Sequence, residues 1–178
     1  MPSERLAAGA DLVTFSGDKL VGGPQAGIIA GRSALIERLR KDPLARAMRP
    51  DKVILAALAA TLRLYRAGVA QSEIPVWRQV CTSADAIEVR ARRVAERVGA
   101  RVSPVESTVG GGSMPGQTLP SWAVKLDGPA AQETLAALRS GGPAVIGRIV
   151  DEAVVLDLRT VEPADDDRLA DAISAALG

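Results

Sequence analysis

Histidine is missing from this sequence altogether, and cysteine occurs once, at Cys81. The first absence excludes Ser-His-Asp hydrolysis, HExxH metalloprotease chemistry and His-ligated zinc. The second excludes an intramolecular disulfide. Chemistry, if any, must be carried by lysine, arginine or carboxylates. Aromatic residues are scarce too: one Phe, one Tyr and two Trp. Long apolar runs are also lacking, since the strongest, residues 53–62, is about half of what a bilayer span needs. Met1-Pro2-Ser3-Glu4 has neither the charge nor the apolar stretch of a secretory signal. No membrane partner is expected, and the expected compartment is cytoplasmic. Neither sign of charge dominates: 22 Lys and Arg stand against 21 Asp and Glu, a balance that by itself points to no nucleic-acid partner.

What is present is an Ala/Leu/Val-rich chain of 178 residues, 47% hydrophobic and 24% charged, long enough to bury a core as one domain or two small ones. Charge is unevenly spread. Residues 32–66 hold nine Lys and Arg against three Asp and Glu, whereas residues 111–178 hold five against ten, so an anion would prefer the first stretch. Residues 12–15 and 26–30 read as two short apolar strands joined by a Gly-rich connection that carries Lys19. Ser33 is a candidate cap for a short helix that Asp42-Pro43 should stop. A second helix is expected after Pro50, capped by Asp51, with Ile54, Leu55, Leu58, Leu62 and Tyr65 at helical spacing and Gly68 at its end.

Residues 68–82 lack a clear period and contain Pro75, which reads as an irregular crossing with a domain boundary near residue 70. Beyond it the pattern is helix (83–98), strand (101–109), Gly-rich loop (110–118), strand (119–126), helix (130–140), two strands (145–150 and 153–158) turning at Asp151-Glu152, and a final helix. Residues 70–178 thus read as a small α+β domain, and residues 1–69 as a separate part. Trp122, Val124 and Leu126 alternate as on a half-buried strand, and Asp165, Asp166 and Asp167 suit the dipole of the last helix.

The sharpest local feature is Ser16-Gly17-Asp18-Lys19 followed by Gly22-Gly23-Pro24. A lysine held on a tight turn between apolar strands is a competent amine nucleophile for a Schiff base, and the adjacent hydroxyl and glycine N–H groups suit a phosphate. An ordinary hairpin with a solvated lysine explains the same tetrapeptide, so these residues alone leave both readings open. Arg90, Arg93 and Arg97 share a helix face that can meet RNA but, without interleaved aromatics, reads first as a solvated face. Cys81 has no histidine to activate it and reads as a small packed residue. The glycine run at 110–116 precedes a strand rather than a helix, which favours an ordered interdomain loop over a phosphate site.

The segment TFSGDKLVGGPQAGII around Lys19 closely resembles the cofactor-lysine segment of the bacterial L-seryl-tRNA(Sec) selenium transferases, the selenocysteine synthases. Further blocks resemble that family in the family's order: RAMRPDK at Arg46–Lys52, TVGGGSMPG from Thr108, PAVIGRI from Pro143 and LDLRTV from Leu156. The resemblance covers essentially the whole chain. It implies the C-terminal part of a fold-type I pyridoxal-phosphate enzyme, α/β and α+β in class, with the end of the large cofactor-binding domain (1–69) followed by the small C-terminal domain (70–178). The implied reaction converts seryl-tRNA(Sec) to selenocysteinyl-tRNA(Sec) with selenophosphate. Lys19 would form the internal aldimine with pyridoxal 5'-phosphate and shuttle the α-proton, and Ser16 would touch the cofactor phosphate. Arg46 and Arg49 would face the selenium donor, where guanidinium forks suit a phosphate-like dianion. Arg148 and Arg159, expected on strands, would bind substrate. A solvated basic face for the first pair and strand-edge ion pairs with Asp157 or Glu152 for the second are the structural alternatives.

The resemblance also implies what else such a site needs: a carboxylate on the pyridine nitrogen, a ring-stacking group, a phosphate cup and a tRNA-binding region, all supplied in the family by a preceding N-terminal portion. The chain alone is therefore expected to be inactive, and the family's ring-like homo-oligomers place sites at subunit interfaces. Two other readings stand beside it: a non-catalytic relative acting as an association module, and a related ammonia lyase of amino-sugar phosphates. Asp18 favours the transferase branch, because a glycine at that place is associated with the lyases.

Overall fold

The computed structural model describes residues 2–110 and 116–178. The chain divides into two compact units, Met1–Arg78 and Gln79–Gly178. The break falls beyond the expected position near residue 70, because residues 70–78 pack within the first unit. Residues 111–115, the middle of the expected Gly-rich loop, lie outside the described residues.

The first unit begins with the short helix α1 (Pro2–Ala7) and the antiparallel pair β1 (Leu12–Ser16) and β2 (Gly27–Gly31), in register from Leu12 opposite Gly31 to Ser16 opposite Gly27. Both strands match their apolar runs. Helix α2 (Ser33–Lys41) starts one residue earlier than a Ser33 cap would allow: Arg32 occupies the cap position and makes no side-chain cap bond. Asp42-Pro43 ends α2 as expected and also starts another turn, α3 (Pro43–Ala47), where the Asp42 carboxylate accepts from the Leu44 N–H and Pro43 occupies the first turn. Helix α4 (Lys52–Arg66) has the expected cap, Asp51 accepting from the Ile54 N–H at 2.9 Å. Gly68 follows it at φ +74°, a left-handed conformation that suits glycine.

The stretch read as an irregular crossing is helical. It forms α5 (Ala70–Glu73) and α6 (Pro75–Cys81), with Pro75 as the first residue of the second. Proline at that position loses no helical hydrogen bond, so it opened the helix it was expected to prevent. Ile74, between the two, is 2% exposed and with Ala70 is all that the described part of the first unit buries among apolar side chains. Leu44, Met48, Val53, Leu55 and Leu62 stay exposed along α3 and α4.

The second unit is an antiparallel sheet under three helices. Its elements are α7 (Ala84–Val98), β3 (Arg101–Thr108), β4 (Thr118–Leu126), α8 (Ala131–Ser140), β5 (Arg148–Val150), β6 (Ala153–Asp157) and α9 (Asp166–Leu177), with strand order β3-β4-β6-β5. Ser83 caps α7 and Gly99 closes it at φ +67°. Val124 and Leu126 on β4 lie opposite Leu156 and Val154 on β6, on the face where Ile87, Ala91 and Val94 of α7, Leu138 of α8 and Leu169 and Ile173 of α9 complete one core. The β5–β6 turn is the expected Asp151-Glu152 pair, both residues at positive φ, as a tight hairpin turn demands. Both sheets of the molecule are antiparallel.

Candidate functional site

The connection between β1 and β2 is pinned along its length. Gly17 is buried; its N–H donates to the Ala26 carbonyl at 2.8 Å and its own carbonyl accepts from the Gly23 N–H at 2.8 Å. A Cβ there would lie 2.6 Å from the Pro24 carbonyl oxygen, so only glycine fits. The Gly22 N–H closes a turn on the Lys19 carbonyl at 2.9 Å. Gly22 sits at φ +73° against the side chain of Ile74, and Gly23 passes close to Thr61. Lys19 thus projects from a turn whose backbone is held on both sides, while its side chain remains 55% exposed and its Nζ stands 3.7 Å from the Asp18 carboxylate. Ser16 ends β1, three residues before it, and is exposed. A reachable amine on a fixed backbone, three residues after an exposed hydroxyl, has the donor types that an aldehyde and a phosphate call for.

Two residues hold this turn that sequence reasoning did not single out. The Trp77 indole N–H donates to the Tyr65 hydroxyl at 2.6 Å, and that hydroxyl faces the Leu20 and Val21 carbonyls at 3.2 and 3.0 Å. Tyr65 read as one more apolar position on α4. Its being the only tyrosine was the available signal.

The arginines separate into three kinds. Arg46, in the last turn of α3, and Arg49, just before α4, are exposed, and among the described residues neither guanidinium has a carboxylate partner. Arg49 edges a shallow apolar cleft with Pro50, Val53 and Leu55. Arg148, exposed on the edge strand β5, lines a cleft of about 250 Å³ with Ser107, Thr108, Asp157 and Thr160. Arg159 corrects the expectation placed on it. It lies in a 3-10 turn rather than a strand, is 6% exposed, and spends its guanidinium on the carbonyls of Gln79, Thr82 and Pro120 at 2.5–2.8 Å. Burial pushes its pKa down, with the Asp157 charge opposing. It ties backbone segments of the second unit together.

The face of α7 is corrected in part. Arg90 binds the buried Asp166 through two nitrogens at 2.7 and 3.0 Å, Arg93 reaches the same carboxylate at 3.2 Å, and Arg97 pairs with Asp167 and Asp171. Arg93 and Arg97 remain solvated, as expected, whereas Arg90 is largely buried, and the acidic start of α9 pairs with all three. On the sheet face away from the helices, Asp157 accepts from the hydroxyls of Ser107 and Ser121. Cys81 is exposed rather than packed. Among the described residues no group of three His, Cys, Asp or Glu could hold a metal ion, and no helix is long and apolar enough to cross a membrane.

The geometry defines a class first: a mixed helix-and-sheet protein that presents one lysine on a glycine-fixed turn, with a small α+β unit behind it in sequence. Comparison with known proteins supplies the family. The chain belongs to the L-seryl-tRNA selenium transferase family, which it matches over residues 1–162. It is 48% identical over 176 residues to the L-seryl-tRNA(Sec) selenium transferase of Escherichia coli O45:K1 (strain S88), an alignment covering 91% of this chain and 38% of the relative. The enzymes of the same name from Hyphomonas neptunium and Carboxydothermus hydrogenoformans are 47% and 44% identical, over 92% and 89% of this chain and 37% and 36% of theirs. The chain thus spans little more than a third of the length of these relatives and matches their C-terminal part.

Proposed function

We infer that this chain supplies the lysine and the small domain of a pyridoxal-phosphate-dependent transferase of fold type I that exchanges the hydroxyl of seryl-tRNA(Sec) for selenium from selenophosphate. The observation that carries the reading is the Lys19 turn: an exposed amine on a backbone that Gly17, Gly22 and Gly23 fix, within a family whose curated members bear that activity in their names. When bound, pyridoxal phosphate supplies an electron sink for charge developing at the seryl α-carbon. With the cofactor bound, Lys19 would hold its aldehyde end through Nζ, and the same amine would serve as the base for the seryl α-proton. Ser16 binds the cofactor phosphate. Arg46 and Arg49, with no carboxylate to neutralise them, hold the selenium donor as charged forks. Arg148 contacts substrate from the cleft beside β5, and Arg159 keeps a positioning role.

The remaining pyridine-nitrogen carboxylate, stacking group and tRNA-binding surface belong to a further N-terminal portion. The apolar side chains left exposed on α3 and α4 are consistent with a unit completed by other chain, including further copies of itself. The same exposed face also suits the second reading, a non-catalytic association module. The two readings separate in one assay. Combined with the N-terminal portion of a relative, the chain should convert seryl-tRNA(Sec) with selenophosphate, and Lys19→Ala should abolish this. Conversion that persists in the Lys19→Ala assembly would remove the catalytic role. Conversion of an amino-sugar phosphate with ammonia release, and none of seryl-tRNA(Sec), would assign the lyase branch instead.

A further inference from the structure

We propose that Tyr65 and Trp77 form a one-way hydrogen-bond clamp that positions Lys19, so that the reactivity of the amine depends on two side chains that touch neither cofactor nor substrate. The inference rests on the assignment of Lys19 as the residue that captures the cofactor aldehyde. Its direction is set by chemistry. An indole N–H can only donate, so the Tyr65 oxygen must accept from Trp77. The single phenolic proton is then free for one purpose, a bond shared between the Leu20 and Val21 carbonyls at 3.2 and 3.0 Å. These carbonyls belong to the two residues after Lys19, inside the turn that the Gly22 N–H closes on the Lys19 carbonyl.

The clamp acts where a side chain could not be added. Gly22 rests on Ile74, which is 2% exposed and lies three residues before Trp77, and Gly23 rests on Thr61, one helical turn before Tyr65 on α4. Four contacts from α4 and the α5–α6 segment therefore converge on four consecutive residues of the turn, 20–23. Lys19 itself receives little support of this kind, since its side chain is more than half exposed. The position of its Nζ is inherited from the backbone beneath it, and an amine delivered within a narrow range of positions reacts faster than one that samples many. The chain holds one tyrosine and two tryptophans, and two of these three are spent here.

The test uses competition among the four lysines of the chain, Lys19, Lys41, Lys52 and Lys125. Pyridoxal phosphate is added to the 178-residue protein and the product is reduced with borohydride. Each lysine amine adds to the aldehyde with loss of water, and hydride then fixes the carbon–nitrogen bond. Peptide mass spectrometry gives the rate at each site. Lys19 should be labelled preferentially in the parent. Tyr65→Phe should slow labelling at Lys19 about tenfold, the equivalent of one hydrogen bond, and leave the other three lysines unchanged. Trp77→Phe should give a smaller loss at Lys19, because Tyr65 keeps its own bond to the turn. Amide exchange at Gly22 and Gly23 should quicken in both variants with β1 and β2 unaltered. If Tyr65→Phe instead loosens β1 and β2 as well, Trp77→Phe decides alone. Preferential labelling that Tyr65→Phe or, in that case, Trp77→Phe leaves at the parent rate overturns the clamp. A parent that shows no preference for Lys19 overturns the aldehyde-capture assignment beneath it, and the clamp with it.

Discussion

At Arg159 the guanidinium is surrounded by backbone, and this decides what its loss would do. Arg159→Leu removes three hydrogen bonds and leaves the Gln79, Thr82 and Pro120 carbonyls with less than they need. A cost of about 2–4 kcal/mol is expected in urea unfolding of the second unit. A variant that unfolds at the parent midpoint yet impairs turnover in a reconstituted enzyme would return Arg159 to substrate binding. Arg46 and Arg49 carry the same charge in open surroundings, so the expectation reverses. Arg46→Ala or Arg49→Ala should leave stability unchanged and weaken selenophosphate use by roughly 1.5–3 kcal/mol, about ten- to a hundredfold. Lysine at either site should recover only part of this, because it keeps the charge and loses the fork. Unaltered donor dependence in both alanine variants would make them surface charges. Sequence alone could not separate these arginines. Their difference lies in burial, which for Arg159 depends on where residues 79, 82 and 120 come to lie.

The elements were legible wherever a local rule was decisive. Asp51 before α4, the helical pattern over 83–98, the apolar runs of β1 and β2 and the alternation on β4 each placed an element within a residue or two. The helices α5 and α6 were hidden because Pro75 signals a break and a helix start equally well, and only the buried Ile74 beside it tells them apart. Pairing across distance was hidden altogether: the carboxylates of α9 looked like dipole partners until α7 brought its arginines to them. The Asp151-Glu152 turn was read correctly and supports a prediction. Both residues adopt positive φ, at +50° and +59°, where a side chain costs roughly 1 kcal/mol. Glu152→Gly should therefore stabilise the second unit by about 0.5–1 kcal/mol despite glycine's entropy, seen as a rise in its thermal midpoint. A fall would mean that the glutamate makes a contact worth more than the strain.

On the scale of the whole molecule the two units differ in how much they bury. The second owns a continuous core drawn from three helices and a four-stranded sheet, whereas the first buries little beyond Ala70 and Ile74. In the isolated chain, amide exchange should accordingly be slow across α7, β4 and β6 and fast across β1 and β2. Equal, strong protection of both units in a demonstrated monomer would contradict this. The glycines that fix the Lys19 turn are local in sequence and so were readable as a motif, whereas the Tyr65 and Trp77 side chains that hold it lie more than forty residues away and were not. The scarcity of aromatic side chains turns this division into something that can be watched. Trp77 lies in the first unit, bonded to the only tyrosine, and Trp122 lies in the second, under the guanidinium of Arg92 at 5.9 Å from its ring centre. Each unit therefore carries one tryptophan, whose emission can be excited apart from that of Tyr65 at the red edge of the absorption band. With Trp122 or Trp77 replaced by phenylalanine in turn, emission reports one unit at a time, so the order in which the two halves melt can be followed by light alone, without a label.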